Sequence, residues 1–216
     1  AASGGFPSYL GRDNANMITL PDGISPITNM YLWQPLAGAF YPPCVDGDFD
    51  MSVIGHEYGH MVENRLIGKG GNRSGHHAGA MGESSGDLMG VEVLNEYGFV
   101  PAAGENPFAV GAYVTGNKQR GIRNFGMNAS PLNFSDMGYD LTGPQVHADG
   151  EIWSAANYDI RAALGPLRHA RLVTSRRQRT LRTDDDSHRL RDRFLGRWEA
   201  GIGPFGAWWI EQIDVP

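Results

Sequence analysis

The stretch GHEYGHMVENRLIG, residues 55–68, constrains this chain most, because it places two histidines four positions apart. At 3.6 residues per turn, His56 and His60 lie about 40° apart on one helix face, so two imidazoles can converge on one ion. Glu57 stands beside them rather than opposite. Zinc catalysis needs such neutral ring nitrogens, together with a carboxylate that takes a proton from metal-bound water. The stretch therefore predicts a helix that carries part of a zinc site.

The alternative is an ordinary helix with two solvated histidines. With 7 histidines in 216 residues, chance placement would produce the motif in about one of a hundred such sequences. The motif alone is therefore good evidence for a zinc site but not sufficient.

A third protein ligand is also required, and its position separates the classes of zinc peptidase. Metzincins have a glycine three positions and a histidine six positions after the second ligand. Glu63 and Leu66 occupy those positions here, which excludes that class. The next candidate is Glu83 in GAMGESSGDLMG, and Asp87 follows it by one turn on the same face, where it can accept a hydrogen bond from a ligand imidazole. By itself, this stretch could also be a helix with two exposed acids.

Composition excludes several other classes of function. The net charge of −6 argues against a general nucleic-acid or membrane-surface binder. No apolar run approaches the roughly 18 to 20 residues of a membrane span, and the first residues lack the basic start and apolar middle of a signal peptide. Cys44 is the only cysteine, so no internal disulfide is possible.

Charge divides the chain near Gly165. Residues 1–160 carry 7 Lys+Arg and 17 Asp+Glu, whereas residues 161–216 carry 11 Arg and 7 acids. We expect residues 1–165 to form the core with the metal site, in partial form, and residues 166–216 to form an arginine-rich, solvated segment. A basic nucleic-acid-binding arm is the alternative for this segment, but DDD interrupts it and no aromatic residue alternates with its arginines before Phe194.

Three helices are predicted from capping and stop signals. Asp48 or Asp50 caps the first, which ends near Gly68. The second corresponds to MGESSGDLMGVEVLNEY and stops at Gly98, and the third corresponds to GEIWSAANYDIRAAL and stops at Gly165. NMYLWQPL, before the first helix, has the aromatic and apolar content of a strand.

Together with GRDNANMITLPDG, MYLW and VHADGEIW, these motifs resemble the fungalysin-type zinc peptidases over about residues 11–165. The resemblance implies an α+β fold, namely a thermolysin-like zincin catalytic core that is mainly helical, with a truncated β-rich N-terminal part. It also implies one Zn²⁺ per chain, a general base and a residue that supports a ligand. The ligands would be His56, His60 and Glu83, the base Glu57 and the supporting residue Asp87. Calcium ligands of the thermolysin kind do not map cleanly, so calcium binding is left open.

Three further sites gain a role only through that resemblance. His147, in QVHADGEIW just ahead of the third helix, matches the family histidine that reaches the oxyanion. Arg123, in GIRNF, looks like the arginine that holds a substrate carbonyl. Asn14 and Ala15, in DNAN, look like the edge-strand pair that hydrogen-bonds the peptide backbone. The alternatives are a loop histidine, a surface arginine and a turn asparagine.

The resemblance implies a zinc-dependent, secreted endopeptidase that hydrolyses internal peptide bonds with a Glu-activated, zinc-bound water. Its partners would be protein or peptide substrates, without nucleic acid or membrane, and a propeptide inhibitor is left open, although none is visible in the sequence. Two alternatives stay open. One is an inactive or truncated peptidase domain that acts as a binding module, because only 55 residues precede His56. The other is a zinc aminopeptidase, although that class has a shorter gap between its second histidine and its glutamate ligand.

Overall fold

The computed structural model describes residues 11–34, 44–66, 75–96, 98–138 and 143–165. The arginine-rich segment predicted for residues 166–216 lies outside these residues. The described elements are four strands, four α-helices and three single turns of 3-10 helix. The strands are β1 (Ala15–Ile18), β2 (Ile27–Met30), β3 (Leu32–Trp33) and β4 (Val45–Asp46). The helices are α1 (Met51–Leu66), α2 (His76–Glu96), α3 (Ala112–Thr115) and α4 (Val146–Leu164), and the 3-10 turns are Gly47–Phe49, Met127–Ala129 and Phe134–Asp136.

The strands form a small β part ahead of the helices. β1 pairs antiparallel with β2, with Ala15 opposite Met30, and β3 pairs antiparallel with β4. Ala15 and Trp33 are buried in one apolar cluster with Val53 of α1 and Val114 of α3. The β part therefore packs against the first long helix, and the predicted α+β fold with a mainly helical core is confirmed.

Glycines on both helices let α1 and α2 pack backbone to backbone. A Cβ atom at Gly55 would lie 2.7 Å from the Cα of Gly90, and one at Gly90 would lie 2.4 Å from the carbonyl oxygen of Ser52. One turn away, a Cβ at Gly59 would lie 3.0 Å from the Cα of Gly86. Because residues four apart share a helix face, these glycines form a seam along which side chains of the two helices can meet.

Asp50 fixes the start of α1, as one of the two predicted caps. Its Oδ1 accepts hydrogen bonds from the backbone N–H groups of Ser52 and Val53, at 3.1 and 3.3 Å. Its Oδ2 accepts from the N–H groups of Tyr113 and Val114 at 3.2 Å. One carboxylate thus satisfies the first turns of both α1 and α3.

Two helices begin earlier than the sequence predicted. α2 starts at His76 rather than near residue 81, and α4 starts at Val146 rather than near residue 150. The cap of α4 is the side chain of Gln145, which is not among the residues usually found at this position. The predicted helix ends agree better, since Gly98 and Gly165 both have positive φ. Within the described residues, no helix is both long enough and apolar enough to cross a bilayer.

Candidate metal centre

α1 and α2 bring His56, His60 and Glu83 together. Nε2 of His56 lies 3.3 Å from Oε2 of Glu83, and Nε2 of His60 lies 3.6 Å from Oε1. The two imidazoles meet edge to face with their centroids 4.5 Å apart. The potential ligand atoms of the three residues all lie within 4.8 Å of one another. Two imidazole nitrogens and one carboxylate oxygen are a donor set that suits zinc.

The Glu83 carboxylate tests whether a cation fits this cluster. Its Oε2 is buried and makes no hydrogen bond to any described residue, which is costly for a charged oxygen unless a cation compensates. Burial by itself raises the pKa of Glu83, but the imidazole of His56 and the positive charges of His147 and His60 outweigh it and lower the pKa to about 2. The carboxylate is therefore ionised at neutral pH, and the residues fit a zinc ion.

Asp87 orients one of the two imidazoles. Its Oδ1 lies 2.8 Å from Nδ1 of His56. A proton on Nδ1 that is donated to Asp87 leaves the lone pair on Nε2 facing Glu83, which is the state of a metal ligand. Burial lowers the pKa of His56, but Asp87 and Glu83 outweigh it and raise the pKa to about 9, so at neutral pH a metal ion would have to displace the proton from Nε2 in order to bind there. Asp87 thus contacts His56 directly, and its role in supporting a metal ligand stays a prediction.

Arg123 holds Asp87 in turn. Its Nε and Nη2 donate to the two Asp87 oxygens at 2.8 and 2.7 Å, a bidentate pair. Burial opposes ionisation of Asp87, but Arg123 and His56 keep its pKa well below the usual range. The guanidinium is buried, so the alternative of a surface arginine is wrong. Its Nη2 also lies 3.7 Å from Oε2 of Glu83, and contact with a substrate carbonyl stays a prediction.

Glu57 is buried next to the cluster. Burial raises its pKa to about 7, with the negative charge of Glu83 adding to the shift and the positive charges of His56 and Arg123 opposing it. A carboxyl group with a pKa near neutrality is well matched to accepting and returning a proton at physiological pH.

Gly86 leaves space for the His56 ring. A Cβ atom at this position would lie 2.7 Å from Nδ1 and 2.8 Å from Cε1 of His56, closer than van der Waals contact allows. The His56 imidazole therefore lies close against the α2 backbone. Gly86 had no predicted role within GAMGESSGDLMG, because nothing in a single sequence shows which side chain packs over a glycine.

His147 approaches the same carboxylate from α4. Its Nε2 lies 3.3 Å from Oε2 of Glu83, and 48% of its side chain is exposed. The sequence placed it ahead of the helix, but it lies in the first turn of α4, because the helix starts at Val146. Its pKa is lowered mainly by burial, with the negative charge of Glu83 opposing the shift.

The predicted edge-strand pair, Asn14 and Ala15, lies at the start of β1. Ala15 is the first residue of β1 and is buried, whereas Asn14 is exposed and lies just ahead of the strand. Asn14 directly precedes the ladder with β2, which begins at Ala15, and binding of a substrate backbone by this pair stays a prediction. In the described part of the chain, β1 pairs with β2 alone.

Glu151 was missed at the sequence level. Its buried carboxylate accepts hydrogen bonds from the backbone N–H groups of Asn124 and Phe125, at 2.8 and 3.0 Å. These residues directly follow Arg123, so α4 fixes the segment that holds Asp87. Burial raises the pKa of Glu151 to about 7, against the opposing effect of the two N–H groups. An acid one turn after His147 in HADGE was the available signal.

Comparison with known proteins gives a consistent result. Residues 7–166 match the family model described as fungalysin metallopeptidase (M36). The chain is 32% identical over 157 residues to the extracellular metalloproteinase mep of Aspergillus niger, which covers 69% of this chain and 23% of that protein. It is 33% identical over 153 residues to extracellular metalloproteinase 2 of Phaeosphaeria nodorum, which covers 68% of this chain and 22% of that protein. The chain thus spans less than a quarter of the length of these relatives.

Proposed function

The chain belongs to the fungalysin metallopeptidase family, and on that premise we propose that it carries the zinc centre of a secreted endopeptidase acting on proteins or peptides. The observation that carries the proposal is the convergence of His56, His60 and Glu83 from two helices onto a common point. Secretion is supported by the relatives, which are named extracellular metalloproteinases.

In this proposal His56, His60 and Glu83 hold one Zn²⁺, and Asp87 keeps the His56 ring in the orientation a ligand needs. When bound, the zinc supplies Lewis-acid polarisation of the substrate carbonyl and makes water more acidic. The ionised carboxylate of Glu83 adds one negative charge to two neutral imidazoles, so the centre keeps a net positive charge for this purpose.

The remaining residues move protons and hold the substrate. Glu57 accepts the proton of the attacking water and passes it to the leaving amine, a task suited to its raised pKa. His147 donates from Nε2 to the carbonyl oxygen of the substrate as that oxygen becomes negative. Arg123, whose Nη2 lies near Glu83, adds positive charge at the same centre. Asn14 and Ala15 hydrogen-bond the substrate backbone at the start of β1.

Two substitutions test the proposal together. Glu83→Ala should lose zinc by elemental analysis, because two ligands hold the ion poorly. Glu57→Gln keeps the shape of the side chain but cannot take a proton, so it should retain zinc and lose about 10² to 10⁴ in turnover. A peptide blocked at both ends is the substrate, since an aminopeptidase needs a free amine and an inactive binding module cuts nothing.

The outcomes separate the two roles. Equal zinc in Glu83→Ala and the parent protein would remove Glu83 from the ligand set. Cleavage by Glu57→Gln within about tenfold of the parent rate would remove Glu57 from the mechanism, because general-base catalysis supplies more than that.

A further inference from the structure

The amide of Gln145 has a fixed orientation. Its Oε1 accepts hydrogen bonds from the backbone N–H groups of His147 and Ala148, at 2.6 and 2.9 Å, in the first turn of α4. Only the oxygen of an amide can accept, so the side chain cannot exchange its oxygen and nitrogen without leaving two helix N–H groups unsatisfied. The Nε2 end of the amide is therefore fixed as well.

That Nε2 faces a ring nitrogen of the proposed oxyanion donor. It lies 2.7 Å from Nδ1 of His147. An amide NH₂ group can only donate, so Nδ1 has to accept through its lone pair. A neutral imidazole that accepts at Nδ1 carries its proton on Nε2.

The other face of the ring completes the geometry. Nε2 of His147 lies 3.3 Å from Oε2 of Glu83 and thus points at the proposed zinc centre. If the ring carried its proton on Nδ1 instead, two donors would face each other, namely the Nδ1–H of the His147 ring and the NH₂ group of Gln145. That placement of the proton would also leave Nε2 without a proton to donate.

We propose that Gln145 is a positioning residue that holds His147 as its neutral, Nε2-protonated tautomer, with the N–H directed at the point where the substrate carbonyl oxygen gains charge. The catalytic consequence rests on the proposed function, but the tautomer is a property of the folded chain. Gln145 thus has two tasks, since its oxygen caps α4 and its nitrogen selects the tautomer.

The variant Gln145→Glu separates these two tasks. It has the same length and keeps an oxygen for the helix N–H groups, and a carboxylate at a helix N-terminus caps well. It replaces the nitrogen donor by an acceptor, which should draw a proton onto Nδ1 of His147. Its melting temperature should therefore match that of the parent or exceed it, while the protonation of the His147 ring changes.

The tautomer is measured by long-range ¹H–¹⁵N correlation of histidine ring nitrogens, with His147 assigned from its absence in a His147→Ala sample. The parent protein should show an unprotonated Nδ1 and a protonated Nε2. Gln145→Glu should show a protonated Nδ1. A parent spectrum with the proton on Nδ1, or an unchanged His147 pattern in a folded Gln145→Glu, would overturn the inference, since a purely capping role predicts no change.

Turnover of the blocked peptide keeps this inference distinct from the proposed function. Turnover is measured about two pH units above the His147 titration seen in the same spectra, where the ring is neutral. There, Gln145→Glu should lose about 10² to 10³ in kcat with little change in KM, as expected for loss of an oxyanion donor. If the tautomer changes and kcat does not, the donor role of His147 is wrong and the tautomer control by Gln145 stands. The parent spectrum decides the tautomer even if no peptide is cleaved.

Discussion

Replacing Asp87 with asparagine should weaken zinc binding and destabilise the fold at the same time. Asp87 accepts from Nδ1 of His56 at 2.8 Å and from two nitrogens of Arg123 at 2.8 and 2.7 Å. The Asp87→Asn side chain has almost the same shape, but it is neutral and turns an NH₂ group toward one of these donors. The buried guanidinium of Arg123 then loses the carboxylate that neutralises its charge through two hydrogen bonds.

Both effects can be given a magnitude. Removing one member of a buried ion pair costs about 3 to 5 kcal/mol, mostly because the remaining charge stays buried. Losing the carboxylate that orients a ligand imidazole costs about 10- to 100-fold in metal affinity. The free energy of unfolding is measured by urea denaturation of the metal-free protein, and zinc affinity by competition with a chromophoric chelator.

Glu92 provides a matched control on the same helix. It lies five residues after Asp87 in α2 and is also held by an arginine fork, with Nε and Nη2 of Arg161 at 2.5 and 3.3 Å. These side chains are 18% and 12% exposed and lie outside the metal cluster. Glu92→Gln should therefore destabilise the protein by less than Asp87→Asn and leave zinc affinity unchanged.

The comparison can refute the structural reasoning in either direction. Parent-like zinc affinity in Asp87→Asn would show that the hydrogen bond to His56 does not set the ligand geometry. An equal loss of zinc affinity in Glu92→Gln would show that affinity follows general destabilisation of α2 rather than orientation of one imidazole.

Three further outcomes are expected. Gly86→Ala should displace the His56 ring and lower zinc affinity, because the new Cβ would lie 2.7 Å from Nδ1. Gly79→Ala is the matched control on the same helix: its Cβ would lie 2.9 Å from Cγ1 and 3.6 Å from Cβ of Val146 and would not contact His56, so it should lower zinc affinity by less. Burial raises the pKa of Glu151 from 4.5 to about 7, so its protonation stabilises the folded chain fully below pH 4.5, and this contribution is lost as the pH rises through about 7. Between pH 5 and 8, the free energy of unfolding of the parent, measured with urea, should therefore fall by roughly 1 to 3 kcal/mol relative to that of Glu151→Gln. His147→Ala should keep its zinc by elemental analysis and lose about 10² to 10³ in kcat; zinc loss would instead make His147 a ligand.

The sequence could predict the parts of the site that depend on spacing within one helix. His56 and His60 share a face because of helix geometry alone, and Glu83 and Asp87 share a face for the same reason. The α+β class also agrees with the structure, and the strand content of MYLW agrees in part, because β2 ends at Met30 and β3 begins at Leu32. Only the family resemblance predicted that the two helices meet, since contact between them depends on the glycine seam.

The rest depends on contacts between segments distant in the chain, which a single sequence does not encode locally. The predicted start of α4 was wrong because the helix is capped by Gln145, and glutamine is not among the residues preferred at a helix N-cap. Arg123 was assigned to the substrate alone because its fork onto Asp87 spans 36 positions. Glu151 was overlooked because its partners are backbone N–H groups, which every residue except proline carries, so its spacing from His147 was the only available signal.

These long-range contacts form one continuous path to the proposed metal ligands. Glu151 of α4 accepts hydrogen bonds from the N–H groups of Asn124 and Phe125, the two residues that follow Arg123. Arg123 donates to Asp87 of α2, and Asp87 in turn orients His56 of α1. The H-E-x-x-H helix and its partner are enough to bring two imidazoles and a carboxylate together, but not to fix the angle of His56. That angle depends on a helix that starts 90 residues later in the chain, at Val146. Since His147 also lies on α4, one helix positions both the support of a proposed ligand and the proposed oxyanion donor, so under the proposed function a shift of α4 would alter metal binding and transition-state stabilisation together.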